Sequence, residues 1–197
     1  MAYPAVFVLD ETGRVVDKRI KENYRAREGV LTLLEATLGI RLAPTGPRET
    51  VRSTHVTVTA VTDSAEYVRW QETRLHVMFE VESGWHVYSH PVPAGFTPVT
   101  VEVTASPEVA VNTAEYPPTR AFRVEGLDEK FYVNEGHFEV RVPIAVNVPA
   151  GSGTIELNVA VHIQACNEAE CLPPAVVTLV LRPERGCRRL KLCPNSG

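Results

Sequence analysis

Six segments of the chain alternate apolar and polar residues with a period of two, which is the spacing of half-buried β-strands. They are rich in Val and Thr, which favour strands, and turns bearing Gly and Pro separate them. The segments cover residues 55–61, 75–81, 99–103, 138–142, 155–161 and 176–181. No helix-length periodic run interrupts them. The pattern therefore predicts a mainly β fold, an immunoglobulin-like antiparallel β-sandwich of about 130 residues. Pro143 lies inside one apolar run and predicts an edge strand or a bulge there.

The first 40 residues follow a different pattern. Residues 5–9 and 14–20 predict two strands, joined by a turn in which Gly13 supplies a positive φ. Apolar residues then recur at helical spacing and predict a helix from about Arg25 to Leu38, stopped by Gly39. A unit of about 40 residues rarely buries enough surface to fold alone. Two interpretations follow: a domain whose first half lies upstream, or an appendage packed on the sandwich.

These patterns divide the chain into four parts. A small hairpin plus helix occupies residues 1–40, a linker bearing Pro and Gly 41–50, the sandwich 51–183 and a basic tail 184–197. The tail contains Cys187 and Cys193, and both a second disulfide and a weak metal clip are compatible with their spacing.

Composition and charge exclude several classes of function. The chain has 197 residues, 44% of them hydrophobic, as in an ordinary globular protein. Its formal net charge of −4 gives no basic patch for nucleic acid. We find no apolar run long enough for a membrane span. Phosphate-binding loops, nucleophile elbows and zinc-binding histidine motifs are absent from the sequence, so we expect no cofactor and no metal.

Two of the four cysteines, Cys166 and Cys171, enclose four residues between a predicted strand and Pro173-Pro174. Four residues allow the chain to fold back and bring the two Cβ atoms to the roughly 3.5–4.5 Å that a disulfide needs. A short closed loop removes little entropy from the unfolded state, so a redox role competes with that of a stapled turn. In a redox pair one thiolate attacks and the other resolves, and spacing does not order them. Glu168 and Glu170, inside the loop, disfavour a thiolate by like charge.

The residues around this pair resemble the signature of the N-terminal periplasmic domain of the thiol:disulfide interchange protein DsbD. Gln164-Ala165-Cys166 with Cys171-Leu172-Pro173-Pro174 is the more specific part of the resemblance. Three supporting segments are Gly84 to Tyr88, Tyr116 to Pro118, and the family's cap loop at Glu129 to Tyr132. Two positions depart from the family pattern: Ile163 stands where an aromatic usually precedes the Gln, and Lys130 replaces a second acid.

The resemblance implies roles for individual residues. Cys171 would form the mixed disulfide with a partner and Cys166 would resolve it. Phe131, Tyr132 and Glu129 would cap the pair, with Phe131 as the shield, although Phe131 also fits a plain core aromatic. His86, Tyr88 and Gln164 would line the site, where a satisfied surface histidine is the simpler interpretation of His86.

The implied function is that of a thiol:disulfide oxidoreductase module, which passes electrons between a thioredoxin-fold partner and an oxidised protein substrate. The direction of electron flow is left open. The alternative is a non-catalytic β-sandwich binding module that carries a structural disulfide.

A second resemblance concerns the start of the chain. Tyr3 to Gly13 resembles the closing half of a thioredoxin-like redoxin domain, which implies a cis Tyr3-Pro4 bond and a chain truncated upstream. The N-terminus lacks a signal-peptide pattern, whereas paired cysteines indicate an oxidising compartment. By resemblance we expect a periplasmic or otherwise extracytoplasmic location.

Overall fold

Strands dominate the computed structural model, which describes residues 5–20, 27–123, 130–147 and 154–185. Helix α1 spans Val30–Leu38. In chain order the strands are β1 (Ala5–Leu9), β2 (Val15–Ile20), β3 (Arg48–Ser53), β4 (Val56–Thr62), β5 (Glu66–Tyr67), β6 (Glu72–Val81), β7 (His86–Ser89), β8 (Thr100–Ala105), β9 (Val109–Val111), β10 (Arg120–Arg123), β11 (Lys130–Asn134), β12 (His137–Val146), β13 (Leu157–Ile163), β14 (Ala165–Cys166), β15 (Ala175–Leu181) and β16 (Glu184–Arg185).

Three antiparallel sheets build the main body. Five strands pair in the order β3-β4-β6-β12-β9, three in the order β15-β13-β8 and four in the order β10-β11-β7-β14. The hairpin β1-β2 forms a sheet of its own, and β16 pairs in parallel with β5. Each of the six predicted segments coincides with a strand of the first two sheets, namely β4, β6, β8, β12, β13 and β15.

One apolar core joins the facing sheets. Alternate residues of β4 and β6, such as Val58 and Val77, are fully buried, and so are Leu157 and Val159 on β13. Because side chains alternate across a strand, every second residue of these segments points into the core. The fold is an immunoglobulin-like antiparallel β-sandwich, as the alternation predicted.

The prediction for Pro143 is wrong. Strand β12 has β6 on one side and β9 on the other, and its pairing with β6 is continuous from His137 to Ala145, without a bulge. The Pro143 carbonyl accepts a hydrogen bond from the Asn112 backbone N–H, 2.9 Å away, just beyond the end of β9. Alternation directs the missing N–H of Pro143 to that same side, where the ladder with β9 has ended, so the proline breaks no ladder bond.

The N-terminal hairpin confirms its predicted strands, and Gly13 has a φ of 81°. The helix begins later than predicted, at Val30 rather than Arg25. The Arg27 N–H donates to Trp70 O over 2.7 Å and its carbonyl accepts from the Glu72 N–H over 2.6 Å, which holds this residue extended. Gly39 ends the helix as predicted, with a φ of 66°.

Two predicted boundaries shift. Strand β3 begins at Arg48, so the last three residues of the predicted linker belong to the sandwich. Glu184 and Arg185, placed in the tail, form β16. The predictions for Tyr3-Pro4, Cys187 and Cys193 lie outside the described residues.

Within the described residues α1, nine residues long, is the one helix, and the structure describes no helix that could span a membrane.

An ion-pair cluster ties α1 to the five-stranded sheet. Glu35 accepts hydrogen bonds from Arg74 on β6 and from Arg141 on β12, the latter over 2.9 Å. Arg141 also binds Glu139, which contacts His76.

The β1-β2 hairpin leaves one apolar face exposed, including Phe7, Leu9 and Ile20.

Candidate functional site

Cys166 and Cys171 are joined by a disulfide at the start of a short hairpin. They form an isolated antiparallel bridge with a Cα–Cα distance of 4.1 Å. Directly opposed residues that exchange no backbone hydrogen bond come closest in an antiparallel pair, at about 4.5 Å. The backbone pairing therefore presents the two sulfurs to each other.

Asn167 shapes the turn between the cysteines. Its N–H donates to Glu170 O over 2.9 Å, and its side-chain oxygen accepts from the Ala169 and Glu170 N–H groups at 2.8 Å each. Beyond the disulfide, the Leu172 N–H donates to Ala165 O over 2.9 Å. An Asx-type turn is one of the tightest ways to reverse a chain, so four residues suffice.

The two sulfurs lie in different environments. Cys166 is fully buried, whereas Cys171 is exposed. Cys166 pairs in β14 with His86 on β7, while Cys171 lies on the returning strand of the hairpin. A thiolate approaching from solvent therefore meets Cys171 first.

One face of the sheet β10-β11-β7-β14 collects the side chains of the site. Register pairs Phe122 with Phe131, Tyr88 with Val133 and His86 with Cys166, and directly paired residues point to the same face. Val87 and Ala165 alternate to the opposite face and join the main core. The two faces of the sheet separate the disulfide from the sandwich core.

An aromatic cluster covers the buried sulfur. Phe131 is fully buried and packs with Tyr88, Val133 and Cys166. Its ring centroid lies 5.5 Å from that of Tyr88 and 5.2 Å from that of Phe96, the latter edge to face. Phe131, the predicted shield residue, is therefore a core residue of the small cluster that contains Cys166.

Tyr88 contacts the exposed cysteine. Its hydroxyl lies 3.7 Å from Cys171 Sγ. Burial raises the pKa of Tyr88, so the phenol stays neutral and able to donate. The predicted place of Tyr88 in the lining of the site is supported by this contact.

His86 is buried, at 5% exposure, so its interpretation as a surface histidine is wrong. Its ring lies 4.8 Å from that of Phe122 and 5.4 Å from that of Tyr88. Its Nε2 atom is buried and has no hydrogen-bond partner among the residues that the structure describes. Burial lowers the pKa of His86, and Arg120 adds to that shift while Glu135 opposes it.

The remaining predicted site residues lie further from the sulfurs. Gln164 clamps the loop: its Nε2 donates to Leu172 O over 3.1 Å, and its Oε1 accepts from the Thr97 N–H over 2.8 Å. Tyr132 pairs with Ser89 and alternates to the face opposite Phe131, so the structure does not bring it to the disulfide. Glu129 lies outside the described residues.

A comparison with known protein families identifies the family of the domain that contains this site. Residues 56–183, well over half of the chain, match the model of the family described as thiol:disulfide interchange protein DsbD, N-terminal. The chain belongs to this DsbD N-terminal family. A comparison with curated protein sequences finds no match.

One solved structure shares the fold. The N-terminal periplasmic domain of ScsB from Proteus mirabilis superposes with a TM-score of 0.51 at 14% identity, over 71% of this chain and 54% of that one. This chain thus spans about half the length of the ScsB domain. The reduced N-terminal domain of DsbD from Neisseria meningitidis aligns over 57% of this chain and 82% of its own, with a TM-score of 0.39 at 14% identity.

The DsbD-type site includes residues that the sequence did not indicate. Phe122 faces both Phe131 and His86, and Phe96 packs edge to face on Phe131. Phe96 lies in a turn and Phe122 in a short strand, and neither segment has a long alternating pattern. Asn167 was visible as a turn former and fixes the cysteine loop.

A groove of about 830 Å³ runs beside the DsbD-type pair, where His86, Phe122 and Glu168 contribute to its wall. Its lining mixes both signs of charge, including Arg52, Arg120, Glu82 and Glu135. Over the ranges that the structure describes, no group of three or more His, Cys, Asp or Glu side chains is arranged to hold a metal ion.

Proposed function

We propose that the chain is a thiol:disulfide exchange module whose Cys166–Cys171 pair accepts electrons from a thioredoxin-fold partner and passes them to an oxidised protein. The observation that carries the proposal is the asymmetry of the pair: Cys171 is exposed and Cys166 is fully buried. Exchange requires one sulfur that a partner can reach and a second that resolves the mixed disulfide.

In each half of the cycle, two successive thiolate attacks transfer two electrons. The partner thiolate attacks Cys171 Sγ, the Cys166–Cys171 bond breaks, and Cys166 leaves as a thiolate. The partner's second thiolate then attacks its own first sulfur, so that the partner becomes a disulfide and Cys171 is released. In the second half, the Cys171 thiolate attacks the substrate disulfide, and Cys166 attacks Cys171 Sγ. The substrate leaves as a dithiol, and the Cys166–Cys171 bond is restored.

Phe131 serves this cycle as a shield. Its ring is packed against Tyr88, Phe96 and Cys166, which keeps small oxidants and thiols away from the buried sulfur. A protein partner makes a larger contact than a small thiol and can displace such a cap as it binds.

The proposal extends to the setting of the module. A disulfide that must persist between cycles fits an oxidising, extracytoplasmic compartment. We place the exchange domain at residues 48–185, after the hairpin and helix of 1–40 and a linker of 41–47, with the basic tail beyond residue 185. The likeness of the first 40 residues to a redoxin domain makes a thioredoxin-like unit the preferred partner.

Trapping the mixed disulfide tests the proposal. In a chain that carries Cys187→Ser and Cys193→Ser, so that the tail offers no thiol, Cys166→Ser leaves only the exposed cysteine, and Cys171→Ser, the matched control, leaves only the buried one. Each variant is mixed with a thioredoxin that lacks its resolving cysteine and carries thionitrobenzoate on the other, and complexes are counted on non-reducing gels. We expect Cys166→Ser to form the covalent complex at least about tenfold faster, because thiol access governs the exchange rate. Equal trapping by both variants, or none by Cys166→Ser, would contradict the proposal.

A further inference from the structure

His86 combines three features that its neighbours do not share. It is 5% exposed, its Nε2 has no hydrogen-bond partner in the described part of the chain, and it pairs across the strands with Cys166. A buried polar atom without a partner is uncommon in folded proteins and calls for an explanation.

The oxidation state of the pair supplies that explanation. In the disulfide, Cys166 Sγ carries no proton, so it offers nothing for Nε2 to accept. Reduction converts the same sulfur into a thiol, which is a donor, directly opposite the ring. Cβ atoms of directly paired residues lie about 4.5–5.5 Å apart, a separation that an imidazole and a thiol can bridge. Reduction therefore places a donor on the residue that is paired with His86, which is the change that would satisfy the unpaired atom.

We propose that His86 is the general base for Cys166: its Nε2 takes the thiol proton as Cys166 attacks Cys171 and returns it when Cys166 leaves. This inference rests on the exchange function proposed above. In the resolving step the proton moves from Cys166 Sγ to Nε2, a bond forms between the two cysteine sulfurs, and the bond from Cys171 to the substrate breaks. The substrate sulfur departs with the electron pair.

The surroundings of His86 favour a neutral imidazole, which is the form that accepts a proton. Burial lowers the pKa of the ring, so it is neutral near pH 7. Its nearest charged groups, Arg120 on β10 and Glu135 after β11, are paired with each other at 2.9 Å. Other groups that line the same groove are Arg52, Glu80, Glu82, His137 and Glu168.

Strand β7 also provides a polar side chain, Tyr88, for the other cysteine of the pair. Tyr88 lies two residues after His86 on the same face of β7, and its hydroxyl lies 3.7 Å from Cys171 Sγ. Each sulfur therefore has its own polar side chain: a phenol donor beside the sulfur that is exposed to partners, and an imidazole base opposite the sulfur that resolves. This matches the different tasks of the two cysteines, since only the buried one must lose its proton out of contact with water.

The experiment follows the resolving step alone. The reduced full chain, carrying Cys187→Ser and Cys193→Ser so that the tail takes no label, is treated with Ellman's reagent, which adds thionitrobenzoate to the exposed Cys171. Release of the label by Cys166 is followed by absorbance from pH 5 to 10. Cys166→Ser verifies the adduct, because it must hold the label. His86→Phe and His86→Gln remove the base, and His137→Gln is the control, since His137 is a histidine of the same groove with an 82% exposed side chain.

At pH 7 we expect both His86 variants to release the label at least about tenfold more slowly than wild type, within the range of general-base effects. The deficit should shrink below the pKa of His86, where wild type loses its base, and above the pKa of Cys166, where the thiol ionises unaided. His137→Gln should follow wild type. Superimposable wild-type and His86→Gln profiles would overturn the role of His86 while leaving the relay intact. A wild-type adduct that never releases its label would overturn the relay itself.

A second measurement needs no substitution. The imidazole nitrogen resonances of wild-type His86 are recorded by NMR in the oxidised and reduced protein. We expect Nε2 to shift on reduction, because it gains a thiol donor, whereas the nitrogens of His137 stay in place. An unchanged Nε2 resonance would overturn the inference even if the variants do not fold.

Discussion

At the scale of the residue, the site is decided by which side chains lie on one face of four short strands. Phe131 faces the disulfide and Tyr132 does not, because neighbours along a strand point to opposite faces. The family signature predicted both residues as a cap. In the structure only Phe131 belongs to the cluster around Cys166. The ring of Phe131 is fully buried, so the residue belongs to the core as well as to the proposed shield.

Phe131→Ala should separate these two roles. Removing the ring should cost about 3 to 5 kcal/mol of folding free energy, as for other buried Phe, and should speed reduction of the disulfide by dithiothreitol several-fold. The control is Phe138→Ala, which removes a ring stacked on Phe79 at 4.5 Å, in the five-stranded sheet. It should lower stability without changing the reduction rate. A Phe131→Ala reduction rate equal to that of wild type would refute the shield.

Sequence alone predicted the cysteines, Phe131 and Tyr88, because motifs and resemblance mark single residues. It could not predict the partners Phe96 and Phe122 or the burial of His86. Those facts depend on the pairing of β10, β11, β7 and β14, which come from distant parts of the chain. A contact made by strands far apart in sequence leaves no local pattern to detect.

At the scale of the element, α1 shows how tertiary contacts set boundaries. Helical periodicity predicted a start near Arg25, but backbone hydrogen bonds from Arg27 to residues 70 and 72 delay the start to Val30. The strands were predicted more closely, because a period of two is visible within each segment, as in β15 (Ala175–Leu181). Strands shorter than five residues, such as β7 and β14, left no such signal.

The ion-pair cluster beneath α1 should give stability a pH window. Burial alone would raise the pKa of Glu35, but hydrogen bonds from Arg74 and Arg141 outweigh it and lower the pKa to about 2. Burial likewise opposes the shift at Glu139, where hydrogen bonds from His76 and Arg141 lower the pKa to about 2. Stability from these carboxylates is present above the unfolded pKa of about 4.3 and is lost as pH falls toward 2.

His76 sets the other limit of the window. Burial would lower its pKa, but hydrogen bonds with Asp63 at 2.7 Å and Glu139 at 2.5 Å raise it. Its contribution is complete below the unfolded pKa of about 6.5 and is lost as pH rises through the higher folded pKa. The melting temperature should therefore be highest between about pH 4.5 and about pH 6.5, and should fall as pH rises from there through the folded pKa of His76.

Glu35→Gln should flatten the acid side of this profile. We expect a loss of about 1 to 3 kcal/mol at pH 6, less than for a fully buried pair because these side chains keep some contact with water. Urea unfolding at a series of pH values measures it. Glu102→Gln is the control, since that carboxylate is 63% exposed on β8. If Glu35→Gln loses stability with falling pH as steeply as wild type does, the ion-pair cluster does not contribute to the pH dependence of stability.

At the scale of the whole molecule, the four-stranded sheet separates the disulfide from the main core. The main core lies between the large sheets, whereas the smaller cluster around Cys166 and Phe131 lies on the other face of the four-stranded sheet. The disulfide closes a loop with a sequence separation of only 5. In the loop-entropy model such a loop stabilises the fold by about 2 kcal/mol, against about 4.7 for a 100-residue loop. The bond can therefore open and close while the sandwich stays folded.

A glutathione redox titration of the full chain, with alkylation and peptide mapping of each cysteine, tests the central claim most directly. We expect Cys166 and Cys171 to titrate together as one bond, at a potential less negative than about −300 mV, in the range of exchange proteins. A bond that stays closed until a far stronger reductant is added would contradict the relay and identify the disulfide as a structural staple.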